Sequence, residues 1–338
     1  MEKKRINLAL QGGGAHGAFT WGVLDRILLE DDIEIAGISG TSAGALNGAA
    51  LKAGLIKGGP EAARENLDWL WRRVGAIGDL QLATWMTDLG PGAGTISKAL
   101  EFSLPYTFAD TATRVFSPYL YGAFYKNPIE LIARRFHYDA VCSDAGPALF
   151  VCATNVRTGK VRVFEGEEIT SKAIAASACL PTLFQAVEIE GEAYWDGGYT
   201  GNPALFPLFA ADLPNDLVIV NINPLFRQEI PKDPRDILNR INEISFNSSL
   251  LRELRAINFV KRLISDDKVE EGAMKDVFVH MIADDDTMSS LSVASKIVPT
   301  PQVILELKEA GWSAADQFVE AHKDKLGSSS SVDLTEMF

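Results

Sequence analysis

Two short apolar runs, Ile6–Leu10 and Ile33–Ile38, each end in a glycine-rich turn, and each turn opens a stretch with helical spacing. The first turn is Gly12-Gly13-Gly14-Ala15-His16-Gly17, and the helix His16–Leu29 that follows carries Phe19, Val23, Leu24, Ile27 and Leu28 on one side. The second is Gly40-Thr41-Ser42-Ala43-Gly44, leading into the Ala/Leu-rich helix Ala43–Leu55. Strand, tight turn and helix in repeated alternation build a mostly parallel sheet with helices on both faces. The expected fold class is therefore α/β, a three-layer α/β/α sandwich.

The alternation continues along the chain. Pro60 suits the first turn of a helix Glu61–Val74. Asn127-Pro128 reads as an N-cap and first turn of a helix to Phe136. Strands are expected at Ala148–Ala153 and Lys160–Phe164, then a helix at Ser171–Ala178. A hairpin at Ala186–Trp195 turns at Glu190-Gly191 and delivers Asp196. Leu217–Ile222 and Val277–Ile282 are strands; Pro234–Leu263 makes one or two helices, and a helix Pro301–Lys323 closes the fold. Residues 1–326 form a single domain, and the tail 327–338, with four serines in a row, is expected to be mobile. Between about 75 and 126 periodicity weakens and aromatic residues accumulate, the pattern of a cap over a site. Trp85, Met86, Phe102, Phe108 and Tyr119 would then wall a substrate pocket; core filling is the competing explanation.

A net charge of −13 argues against a nucleic-acid partner, which needs clustered Lys and Arg. No apolar run approaches the length of a spanning helix. The segment 1–10 has too brief an apolar stretch for a secretory signal, and Cys142, Cys152 and Cys179 lack metal-ligand spacing. Buried free thiols in a reducing compartment fit, so the expected location is cytoplasmic.

The chemistry lies in three places. Ser42, between Gly40 and Gly44 at a strand-to-helix turn, would have its hydroxyl held outward with a clear approach. Serine needs a base within hydrogen-bond reach. Asp196, followed by Gly197 and Gly198, reaches that role by a tight turn; a carboxylate with an ordinary pKa of about 4 is a weak base, but a charged hydrogen bond in a dry site is strong. A Ser42–Asp196–His280 arrangement is the alternative, because His280 follows in the order known for hydrolases. The run Gly12-Gly13-Gly14, completed by Gly17 ahead of a helix, would aim backbone N–H groups at a developing oxyanion. The same glycines, with Glu34 some way downstream, also fit a dinucleotide fingerprint, which leaves the serine turn and Asp-Gly-Gly unexplained.

These three motifs in this order, supported by Ser177-Ala178-Cys179-Leu180-Pro181 and by Tyr194-Trp195 ahead of the aspartate, resemble the patatin-like phospholipases over about 6–207. The resemblance implies lipid acyl hydrolysis by a Ser42–Asp196 dyad without histidine, with Gly12, Gly13 and Gly14 as the oxyanion loop. It implies no metal or organic cofactor. The partner is a lipid or acyl-ester substrate, with transient contact to a lipid surface. In one position the chain departs from the family, which usually has Arg or Lys where His16 stands. Two further readings remain open: a carboxylesterase or thioesterase of non-membrane acyl compounds, hydroxyalkanoate oligomers among them, and a lipid-binding protein without catalysis.

Overall fold

The computed structural model describes residues 3–78, 117–120, 127–270 and 272–338. Within them lies an eight-stranded sheet. Its strands are β1 (Lys4–Leu10), β2 (Ile33–Thr41), β3 (Ala148–Asn155), β4 (Val161–Glu165), β5 (Val187–Ile189), β6 (Glu192–Asp196), β7 (Asp216–Asn221) and β8 (Phe278–Ala283). The order is β5-β6-β3-β2-β1-β7-β8, with β4 also pairing β3. From β3 to β8 all neighbours are parallel, whereas β4, β5 and β6 form antiparallel pairs.

Side-chain alternation along the strands explains the near-continuous apolar runs, because both faces are covered. Ile6, Leu8 and Leu10 enter one core with Val218 and Val220, packed under α1 (Gly17–Ile27), α2 (Ala43–Gly78) and the long helix Pro301–His322. Ala9, Leu217 and Ile219 enter the other, closed by Leu250, Leu254 and Ile257 of the helix Pro234–Ser265. The three-layer α/β/α sandwich is thus the observed architecture.

In chain order the remaining helices are α3 (Pro128–Ala133), α4 (Tyr138–Val141), α5 (Ser171–Ser177), α6 (Pro234–Ser265), α7 (Asp285–Ser289), α8 (Val293–Ile297), α9 (Pro301–His322) and α10 (Leu334–Met337). Asn127 caps α3 by accepting from the Ile129 amide, and Thr300 caps α9 by accepting from Val303. The two helices expected at 43–55 and 61–74 meet in one element, α2, broken at Gly58 and at Gly59, whose φ of 72° and ψ of −157° are non-helical. Contact between α1 and α9 depends on two glycines. A Cβ on Gly22 would lie 1.9 Å from the Lys308 carbonyl oxygen, and one on Gly311 1.9 Å from that of Phe19.

The tail differs from expectation. Instead of hanging free, 327–338 is tied to the edge strand: Ser331 and Val332 amides donate to the Val279 carbonyl, and Val279 N donates to Ser330 Oγ. Leu334 is buried in the α6-side core. Polar residues read as a mobile tail here satisfy the open edge of β8.

Of the proposed cap, Trp85, Met86, Phe102 and Phe108 lie outside the described residues. Tyr119 is described: its hydroxyl accepts from the Ala186 amide at 3.1 Å, and the neighbouring Pro118 carbonyl accepts from Gln185 Nε2. It therefore lies against the α5–β5 connection, with its side chain largely exposed.

Candidate active site

Ser42 is the single residue between β2 and α2, and its φ is +55°. A non-glycine residue in this left-handed region is strained, by about 1–2 kcal/mol, and persists only when its surroundings hold it. Here they do. The Ser42 amide donates to Ser177 Oγ (2.8 Å), whose own hydroxyl donates to the Cys152 carbonyl (2.6 Å). The adjacent Thr41 hydroxyl donates to the Gly201 carbonyl at 2.6 Å. Flanking glycines let the turn close: a Cβ on Gly40 would meet the Gly44 carbonyl at 2.6 Å, and one on Gly44 the Leu10 carbonyl at 2.1 Å.

Asp196 reaches Ser42 through strand register. Thr41 lies beside Cys152 in the β2–β3 pair, and Ala153 beside Asp196 in the β3–β6 pair. The end of β6 is thus brought up against the serine turn. Asp196 is 2% exposed; its amide donates to the Cys179 carbonyl, and Oδ1 accepts from Gly198 N at 2.8 Å. The Ser42 hydroxyl faces the same carboxylate closely enough to help hold its pKa down. Burial raises the Asp196 carboxyl to about 7, and the Gly198 bond and the nearby Ser42 hydroxyl only partly oppose that rise. Gly197 and Gly198 are required by close approach, since Cβ atoms there would lie 2.3 Å from the Cys152 carbonyl and from the Phe246 ring respectively.

The glycine loop completes the group. A Cβ on Gly12 would stand 2.7 Å from Ser42 Cβ, so the loop abuts the serine. Gly12 commits its N–H to Asn202 Oδ1 (2.7 Å), which removes it as a donor to anything else. Gly13 and Gly14 have no such partner among the described residues. Gly14 has φ +59°. Gly17 presses on α2, where a Cβ would lie 2.5 Å from Ala43 Cβ. Behind the loop is a buried amide network absent from the sequence reading. Gln11 Oε1 accepts from the Ile222 and Asn223 amides, and Asn223 Nδ2 donates to the Gly12 carbonyl at 2.9 Å. No local pattern marks Gln11, Asn202 or Asn223; Ser177 stood in a recognised segment, without its role.

Two alternatives are excluded by position. His280 on β8 bonds Asp216 Oδ1 through Nε2 (3.0 Å) and Ser331 Oγ through Nδ1 (3.1 Å), so both ring nitrogens are engaged away from Ser42. Glu34 pairs with Arg5 at the start of β1, while the glycine loop leaves the end of that strand. Five strand residues, roughly 17 Å, separate that acid from the loop, on the wrong end of the sheet for a ribose contact. His16 is buried, with Nε2 against Ser295 Oγ at 2.8 Å, and burial followed by the Lys296 charge lowers its pKa well below the ordinary value. It stands in the loop as a neutral imidazole. Among the described residues no helix is long and apolar enough to cross a membrane.

The family model for patatin-like phospholipases matches residues 8–212. No curated protein matches the chain. Among solved structures, VipD from Legionella pneumophila is similar over 94% of this chain and 67% of its own, at 13% identity and a TM-score of 0.44. The type III effector ExoU is similar over 94% of this chain and 53% of its own, at 14% identity and a TM-score of 0.34. A chain of the full-length SpcU–ExoU complex from the type III secretion system of Pseudomonas aeruginosa gives 14% identity, 95% and 54% coverage and a TM-score of 0.32. The chain spans about half the length of the ExoU chains.

Proposed function

The chain belongs to the patatin-like phospholipase family, and on that premise we propose that it is a lipid acyl hydrolase acting through Ser42 and Asp196. The observation that carries the proposal is the placement of the Ser42 hydroxyl against a buried Asp196 carboxylate, whose pKa it helps to lower, at a turn whose strained serine is held by Ser177. A carboxyl raised to about 7 is a far better proton acceptor than an ordinary aspartate, and it is ionised above that pH.

In this reading Ser42 Oγ attacks the ester carbonyl while its proton passes to Asp196. The oxyanion of the tetrahedral intermediate is met by the Gly13 and Gly14 amides, with Gly12 serving as structure. Each such donor is worth about 3 kcal/mol of transition-state stabilisation. Collapse breaks the ester C–O bond, and Asp196 returns the proton to the leaving alcohol. Water then attacks the acyl-serine with Asp196 again as base, releasing the carboxylic acid and restoring Ser42. The substrate class is a carboxylic ester of a lipid, met in solution or in transient contact at a lipid surface.

A fluorophosphonate probe tests this directly. Wild type should be labelled at Ser42 and should hydrolyse p-nitrophenyl esters. Ser42→Ala should lose both while keeping its melting temperature. Labelling or turnover that persists in folded Ser42→Ala places the nucleophile elsewhere. A panel of phospholipids, simple esters and acyl-CoA then orders the substrates.

A further inference from the structure

The helix α8 packs on the turn Gly14–His16 so closely that a Cβ on Gly14 would lie 2.4 Å from the Lys296 carbonyl oxygen. From that helix the Lys296 ammonium reaches back and donates to Asn223 Oδ1 at 3.0 Å. Asn223, fully buried, donates in turn to the Gly12 carbonyl. A chain of contacts therefore runs from the ammonium through one amide to the glycine loop. The charge is not neutralised by a direct partner: among the described residues no carboxylate lies within ion-pair distance of Lys296. Glu243 of α6 is nearest in effect. Its carboxylate is already held by Arg227 at 2.8 and 2.6 Å and by Arg240 at 3.2 Å. The remaining groups facing this cluster are Asp236 and Asp285, which act on Arg227, and the neutral His16.

An uncharged donor would satisfy Asn223 equally well, and placing an ammonium within reach of the Arg227 charge is unfavourable. What a neutral donor cannot supply is positive potential behind the Gly13 and Gly14 amides. We propose that Lys296 is a positioning residue for hydrolysis, holding the glycine loop through Asn223 and placing a positive charge behind the amides that meet the oxyanion. This inference rests on the Ser42–Asp196 reading. Field from a fixed charge favours the oxyanion over the neutral ester, so it acts on kcat more than on KM.

Burial and Arg227 bring the Lys296 ammonium down to about 8, against the opposing pull of Glu243. Its charge should therefore be lost as pH rises through about 8, and kcat should fall with it. The test compares wild type, Lys296→Gln and Lys296→Arg on a p-nitrophenyl ester across pH, with melting temperatures. Lys296→Gln keeps a donor for Asn223 but no charge; its kcat should fall ~10- to 100-fold, with KM within about twofold and no alkaline decline. Lys296→Arg should restore at least tenfold of that loss and hold its rate to about pH 10, because a guanidinium stays charged. A folded Lys296→Gln with wild-type kcat and an unchanged alkaline limb overturns the proposal. So does a Lys296→Arg enzyme that still declines above about pH 8. If neither variant folds, the wild-type profile decides, since a kcat that stays flat to about pH 10 removes the charge from the rate. Turnover by folded Ser42→Ala would instead refute the underlying reading, independently of any Lys296 result.

Discussion

Ser177 accepts the amide of Ser42 at 2.8 Å while donating its own hydroxyl to the Cys152 carbonyl, so one side chain links the strained turn to β3. Replacing it with alanine leaves the buried Ser42 N–H unpaired, at a cost of about 1–3 kcal/mol. Ser177→Ala should lower the melting temperature and reduce kcat ~10-fold or more, with KM nearly unchanged, because Ser42, the proposed nucleophile, loses its support rather than its substrate contacts. Wild-type kcat in this variant would show that β2 and α2 hold the turn unaided.

With Asp196 as the proposed base, activity and stability should respond to pH in opposite directions. Its carboxyl sits at about 7 in the fold against about 4 in the unfolded chain, so the folded state prefers the protonated form. The relative stabilisation is complete below about pH 4 and is lost as pH rises through about 7, where the ionised carboxylate must be kept from water. Activity should run the other way and climb through about pH 7 as the base ionises. Asp196→Asn should therefore be at least ~10³-fold slower, yet more stable than wild type by about 2–4 kcal/mol at pH 8 and no more stable at pH 4. Chemical denaturation at the two pH values checks the crossover.

The α1–α9 interface admits no side chain at Gly311, where an added Cβ would overlap the Phe19 carbonyl. Gly311→Ala must push two packed helices apart, and overpacking of this kind costs about 1–3 kcal/mol or more. A clear fall in melting temperature is expected, with Ser42 labelling retained in whatever fraction stays folded. An unchanged melting temperature would mean the two helices separate freely.

Removing 327–338 should destabilise the protein, because it exposes the edge of β8, uncovers Leu334's place in the core and leaves His280 Nδ1 without Ser331. Burial of one leucine alone is worth about 1.5–3 kcal/mol. Thermal unfolding of the truncated chain should shift down by several degrees, and amide exchange at Val279 should accelerate. Identical exchange with and without the tail would restore the view of it as a loose end.

Local signals in this chain are strong wherever a turn demands a particular residue. Glycines around Ser42, the Asp196-Gly197-Gly198 turn and the Asn127 cap are each visible in sequence because backbone geometry there admits few residue types. The alternation of strands and helices follows from periodicity, and with it the layered sheet. By itself, then, the sequence determined the fold class and singled out Ser42 and Asp196 as the candidate pair. Their meeting was decided by register, Thr41 beside Cys152 and Ala153 beside Asp196, which joins positions more than 150 residues apart across three strands. Tertiary packing alone also assigned Gly12's N–H to Asn202, raised Asp196 by excluding water, tied down the tail and set Lys296 behind the loop. Those are long-range effects of burial and hydrogen bonding. A buried asparagine or a half-buried lysine has no neighbours in the chain that announce its partner, and only the folded arrangement supplies one.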